Sequence, residues 1–176
     1  ELVTLSGTML ENRAIMRGPV LGDPRERCFG IVGSEYTLVT PDEAVALWDE
    51  YVGLPVETLG MLGQYGEEFF LTAKLPTLDV RGEEVANYLL GHFPMLPYKA
   101  AQALVSPVMV VCQNTLRLAD RLATQRTRAI HDRSVKARLA LWMADVVTRA
   151  QQQTAILQEA FDVLATCRVD DTSRDA

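Results

Sequence analysis

The sequence predicts an α+β fold: an antiparallel sheet with one short helix and a long C-terminal helix packed on it. Three observations lead there. Two apolar runs, 56–62 and 69–75, flank Gly63-Gln64-Tyr65-Gly66 in the manner of a β-hairpin. Thr40-Pro41-Asp42-Glu43 has the chemistry of a helix start. From Ser134 to about Thr166, apolar residues recur at three- and four-residue steps.

With 176 residues, 48% hydrophobic and 23% charged, the chain is sized for one domain with a substantial core. Residues 1–27 are polar and broken by Gly18-Pro19 and Gly22-Asp23-Pro24, so they are expected to form an irregular N-terminal segment. Residues 28–176 are then expected to form a single α+β domain. Within it, Cys28–Val32 and Tyr36–Val39 are predicted as strands joined at Gly33-Ser34. Thr40 caps the next helix, Pro41 takes its first position, and Asp42 and Glu43 complement its dipole. Val45, Leu47, Trp48, Tyr51 and Val52 form its buried stripe and Gly53 stops it.

The hairpin at 56–75 follows, and 77–81 and 85–92 extend it as a meander turning at Arg81-Gly82-Glu83. Residues 103–111 are nearly all apolar and are expected as a central strand buried on both faces, with Pro107 accommodated by a bulge or an edge. Asn114 or Thr115 is expected to cap a short helix reaching Ala123, and 127–130 to form a last strand. The helix begun by Ser134 carries Leu139, Trp142, Met143, Val146, Val147, Ala150, Leu157, Phe161 and Leu164 on one face. Unbroken, it would span roughly 50 Å at about 1.5 Å per residue. Either it breaks at Gln151-Gln152-Gln153 or its far half packs on a second copy.

The net charge of −6 is unevenly spread. Residues 40–90 hold ten acids against two bases, whereas 117–149 hold eight bases against three acids. Global acidity disfavours indiscriminate binding of polyanions, but a local basic patch can still meet a phosphate backbone. Its members are Arg117, Arg121, Arg126, Arg128, Arg133, Lys136 and Arg138. Gln113 and Asn114 form a polar pair whose carboxamides can bond a base edge, a backbone or each other.

Motifs for chemistry are scarce. His92 and His131 lack acids at ligand spacing and read as structural. The serines stand in no nucleophile-elbow context, and Gly60…Gly63…Gly66 is followed by no phosphate-binding Lys-Ser/Thr pair. The acid pairs, among them Glu67-Glu68 and Glu83-Glu84, read as turns and helix surface. No catalytic residue, metal site or cofactor is assigned. Cys28, Cys112 and Cys167 are odd in number, without metal-type spacing, and are expected as reduced thiols. No apolar run approaches the roughly 18 residues of a bilayer span, so no membrane association is expected.

The run Gly30-Ile31-Val32-Gly33-Ser34-Glu35-Tyr36-Thr37, the stretch Phe70 to Pro76 ending in Leu-Pro, and Pro107 through Val110-Val111-Cys112-Gln113-Asn114-Thr115-Leu116 resemble a family of phage- and plasmid-like conserved proteins of unknown function. The resemblance covers approximately 28–147. Residues 91–99 (Gly-His-Phe-Pro-Met-Leu-Pro-Tyr-Lys) depart from the family's usual polar stretch. Relatives run longer at both ends, which with an opening Glu1 in place of Met suits the core of a longer protein. The resemblance implies a mobile-element protein in the cytoplasm of a bacterial host.

Two functions are expected on this basis. The first is non-enzymatic handling of DNA, single-stranded binding or annealing included, through the seven basic residues named above, with homo-oligomers formed by the C-terminal helix. The element order is similar to that of single-strand annealing recombinases, an analogy of architecture. The alternative is a protein-binding effector that regulates a host system through the acidic surface at 40–90.

Overall fold

The structure, a computed structural model, describes residues 2–3, 9–80 and 83–166, with side chains at 11–77, 86–152, 155, 156, 159 and 163. Two small ladders come first. β1 (Leu2–Val3) pairs with β2 (Met9–Leu10), and β3 (Arg13–Arg17) pairs antiparallel with β4 (Arg27–Val32). The expectation of an irregular segment through residue 27 is therefore corrected at Arg13–Arg17. The breaker cluster is the loop between two strands, and Asp23 clasps its base by accepting from Arg17 at 2.6 Å and Arg27 at 2.9 Å. The strand expected at 36–39 is absent. Thr37 N–H donates instead to His131 O at 2.9 Å, so those backbone groups are used without a ladder.

Helix α1 (Pro41–Tyr51) has the expected bounds, but the expected stripe is corrected: its buried residues are Ala44 and Trp48, followed by Val52, while Val45 and Tyr51 are exposed. The Thr40 hydroxyl accepts from Glu43 N–H while the Glu43 carboxylate accepts from Thr40 N–H, a reciprocal cap that adds to the expected N-cap. Gly53, at φ +62°, donates to Trp48 O and ends the helix in the left-handed conformation that glycine tolerates.

β5 (Thr58–Leu62) and β6 (Glu68–Lys74) form the predicted hairpin. The meander expected through 77–81 and 85–92 is corrected: β7 (Leu78–Val80) and β8 (Glu83–Val85) form a separate two-stranded ladder, and β6 pairs directly with β9 (Tyr88–Pro94). β10 (Ala101–Ser106), α2 (Gln113–Arg121), β11 (Gln125–Ala129) and α3 (Val135–Thr166) follow. The main sheet runs β11-β10-β9-β6-β5, antiparallel throughout. The strand expected to be central is second from the edge, and β9 takes the middle. It also stops at Ser106 rather than at 111, because Pro107 has no N–H for a ladder; Ser106 Oγ accepts from Val108 N–H at 3.2 Å as the chain leaves. The chain then crosses the sheet, where Thr58 Oγ1 donates to Val110 O at 2.6 Å.

The pleat sorts side chains between two apolar layers. Phe69, Leu71, Leu89, Phe93, Ala103 and Val105 meet α1 and α3 through Trp48, Leu139, Met143 and Val146. Phe70, Leu90 and Leu104 face the other way and meet Val110 with Leu116 and Ala119 of α2. Trp48 and Val110 are buried, while Val108 and Trp142 are only half-buried.

α3 is continuous over 32 residues, roughly 48 Å at about 1.5 Å per residue. The expected break at Gln151–Gln153 does not occur, in keeping with the good helix propensity of glutamine. Among the described residues its last buried side chain is Val147, and Ile156 beyond is exposed. Leu157, Phe161 and Leu164, named above for self-association, have side chains outside the described residues.

Candidate functional site

Strand register builds the site. His92 of β9 lies directly opposite Phe70 of β6 on one side and Gln102 of β10 on the other, and Gln102 lies opposite Arg128 of β11. Glu68, two residues before Phe70, points to the same face. These polar groups break an otherwise apolar surface at the end of the sheet where α2 gives way to open space. Lys99 reaches in from the β9–β10 loop.

The groups form one chain of contacts. Lys99 Nζ donates to Glu68 Oε1 at 2.5 Å, His92 Nε2 meets Glu68 Oε2 at 2.7 Å, and Gln102 Nε2 meets His92 Nδ1 at 3.1 Å. Glu68 and His92 are 4% and 5% exposed, so neither charge nor ring nitrogens could stay unpaired there without a large desolvation cost. Burial pushes the Glu68 carboxyl up, but the hydrogen bonds from His92 and Lys99 together outweigh it and hold it at about 2. The carboxylate is therefore ionised. It accepts from His92 Nε2–H, leaving Nδ1 as the acceptor for the Gln102 amide.

α2 roofs this row and leaves a cavity of about 470 Å³. Gln113, Leu116, Arg117 and Asp120 line it from the helix, and Glu68, His92, Lys99, Gln102 and Arg128 from beneath, with Tyr98 at the side. A shallower hollow of about 260 Å³ continues along α2 over Asn114, Arg117, Leu118 and Arg121. Asp120 Oδ1 lies 3.2 Å from Arg126 and 3.9 Å from Arg128, yet neither guanidinium is angled to hydrogen-bond it.

The start of α2 corrects the expected cap. Cys112, not Asn114 or Thr115, holds the N-cap position, and Thr115 Oγ1 reaches back to accept from the N–H groups of Val111 and Cys112, both at 2.9 Å. Gln113 and Asn114 thus occupy the first helical turn, Gln113 facing the cavity and Asn114 the hollow beside it. The Cys112 thiol is exposed, and hydrogen bonds from the Thr115 hydroxyl and from the Thr115 and Asn114 backbone lower its pKa.

The seven basic residues separate into two groups. Arg117 and Arg128 line the cavity and Arg117 and Arg121 the hollow beside it, whereas Arg126 lines neither and is held by Asp120, pairing with its carboxylate at 3.2 Å and donating to its backbone O. Arg117 and Arg121 have no acidic partner among the described residues. Arg133, Lys136 and Arg138 sit at the start of α3 and bind Glu35 at 2.8 Å, Glu43 of α1, and Asp132 at 3.0 Å respectively. Of the acidic stretch, Glu68 is interior and Glu43 is paired, while the side chains of Asp79, Glu83 and Glu84 lie outside the described residues. Sequence reasoning missed the Glu68–His92–Gln102–Lys99 chain. Its one available signal was a charged residue and a histidine standing in strands that are apolar on both faces.

Among the described residues no group of three or more His, Cys, Asp or Glu could hold a metal ion, and no helix is long and apolar enough to cross a membrane. Residues 28–176 match the family described as Domain of unknown function (DUF932). The chain belongs to the DUF932 family. No curated protein matches it, and neither does any solved structure. The DUF932 match takes in β4, the whole main sheet and all three helices, and thus every residue of the cavity.

Proposed function

We propose that this DUF932 chain is a DNA-handling protein of a phage or plasmid that grips the phosphates of a single strand through Arg117, Arg121 and Arg128. The observation that carries this reading is the pair Arg117 and Arg121. They stand one turn apart on α2, without acidic partners, over a concave surface that Arg128 closes from the sheet. Unpaired guanidiniums along a groove suit the repeating charge of a nucleic-acid backbone, and a groove with an aromatic at its side suits a flexible strand. Arg126 contributes to the field of the same patch, whereas Arg133, Lys136 and Arg138 are set aside by their acidic partners. The far half of α3 belongs to this reading as the element through which copies assemble.

The test is a titration of the protein with single- and double-stranded oligonucleotides between about 50 and 200 mM salt, where counterion release weakens a phosphate binder steeply. Arg117→Glu with Arg121→Glu should abolish binding, and Arg133→Glu should leave it close to that of the unaltered protein. Absence of binding at low salt would refute the reading.

A further inference from the structure

The cavity beneath α2 has two unlike ends. Its mouth, at Arg117 and Arg128, is cationic, but its interior holds an acceptor that lacks a donor. Gln113 Oε1 is buried without a hydrogen-bond partner, whereas Asp120 Oδ1 is already ion-paired with Arg126 at 3.2 Å and Arg128 at 3.9 Å. Gln102 spends its Nε2 on His92 Nδ1, which leaves Oε1 and one N–H for the cavity. The ionised Glu68 is consumed by His92 and Lys99 and is closed to a ligand.

A free phosphate would satisfy the mouth and leave the interior acceptor unpaired. A ligand that carries a phosphate at one end and N–H donors at the other matches both. We propose that the cavity is a pocket for one nucleobase whose exocyclic amino group adjoins an unprotonated ring nitrogen on its pairing edge, adenine or cytosine, swung out of a bound single strand. The proposal rests on the phosphate-gripping reading above and adds to it a base-reading function.

The dimensions and chemistry agree. A volume of about 470 Å³ falls in the range of small-ligand pockets, about 300–1,000 Å³. A carboxamide held in one orientation offers an acceptor and a donor side by side, the pattern that reads an amino group next to a ring nitrogen. His92 supplies that orientation: with its Nε2–H committed to Glu68, its Nδ1 demands a donor, and the Gln102 amide can satisfy it only through Nε2. Glu68, His92 and Lys99 are thus positioning residues, and Gln102 and Gln113 meet the base. The second amino hydrogen then finds Gln113 Oε1. Tyr98, 78% exposed at the cavity's side, is placed to stack on the base or its neighbour. Thymine, with no amino group, would set carbonyl oxygens against these acceptors.

The experiment compares dye-labelled oligomers of dA, dC, dT and abasic sugar-phosphate, all of one length, by fluorescence anisotropy at one salt concentration. Binding of dA and dC about tenfold or more tighter than dT and abasic is expected, a separation of the two pyrimidines that a backbone binder's preference for pyrimidine runs does not produce. Gln102→Leu and Gln113→Leu should erase the difference between dA or dC and dT. Equal binding of all four strands overturns the base pocket and leaves the phosphate grip standing. Failure of every strand to bind at low salt overturns the grip and the pocket together. The comparison is made on the unaltered protein, so it does not depend on the folding of a variant.

Discussion

His131 stacks on Tyr36, their ring centroids 4.8 Å apart and their planes 21° from parallel. The two rings pin residues 36–40 against the turn before α3, where His131 Nδ1 lies 3.1 Å from Thr37 O. Tyr36 OH and His131 Nε2 are buried without partners, the Lys99 backbone lying near Nε2 but short of hydrogen-bond geometry. Burial pushes the Tyr36 hydroxyl up to about 12.

The same burial lowers the His131 pKa below its usual 6.5, against a weaker pull upward from the Thr37 and Lys99 backbone. A histidine with a depressed folded pKa binds its proton more readily when unfolded, so its contribution is whole above 6.5 and is lost as pH falls through the folded value. Urea melts between pH 8 and pH 5 should show stability falling on the acid side. His131→Phe should flatten that slope, and an unchanged slope in the variant would contradict the assignment.

Glu68 should titrate in a lower window. Its carboxyl is held at about 2 against a usual 4.5, so the stabilisation is complete above 4.5 and disappears as pH falls through about 2. At about 1.4 kcal/mol per tenfold change in proton affinity this is roughly 3 kcal/mol. Glu68→Gln should lower stability at pH 7 by a similar amount and remove Glu68's share of the acid dependence between those limits, leaving that of Glu43 and Asp132, as read by chemical denaturation.

Gly91 is the residue that lets α1 close on the middle strand. A Cβ there would lie 2.7 Å from Phe93 Cε2 and 3.3 Å from Trp48 Cζ3, both in the packed layer beneath α1. Gly91→Ala should therefore cost roughly 1–3 kcal/mol, the usual penalty of overpacking, measured as a lowered denaturation midpoint. A neutral outcome would mean that the two rings can move aside.

The elements that were legible in the sequence are those defined by local chemistry. Thr40, Pro41 and Gly53 bracket α1 because capping and left-handed termination act within a few residues. Gly63 and Gly66 mark the β5–β6 hairpin for the same reason, both at positive φ. What failed depends on distant partners. Arg13–Arg17 looks irregular until Arg27–Val32 lies beside it, with Gly30 at φ +154° at the irregularity in their register and its α-carbon face against Pro97. Tyr36–Val39 looks extended, but His131 uses its backbone. The candidate site was half legible: Gln113, Arg117 and Arg128 came from the charge and polar pattern. Glu68 and His92 are 24 residues apart and meet only through strand register, which no local rule supplies.

The last prediction concerns assembly. α3 contributes Val135, Leu139, Ala140, Met143, Val146 and Val147 to the core, all within its first half. Beyond Ala150 it continues without a break, with Gln151 and Gln152 exposed and Ile156 66% exposed. An isolated helix of such length is marginal in water, because helices draw most of their stability from packing an apolar face. A second copy of the same segment would provide that packing. Light scattering at rising protein concentration should thus give a mass above that of one chain. Ile156→Glu should shift it toward the monomer while leaving the thermal midpoint of the sheet domain unchanged, since residue 156 touches none of the core. A strict monomer at high concentration would rule assembly out and leave the far half of α3 to some other partner.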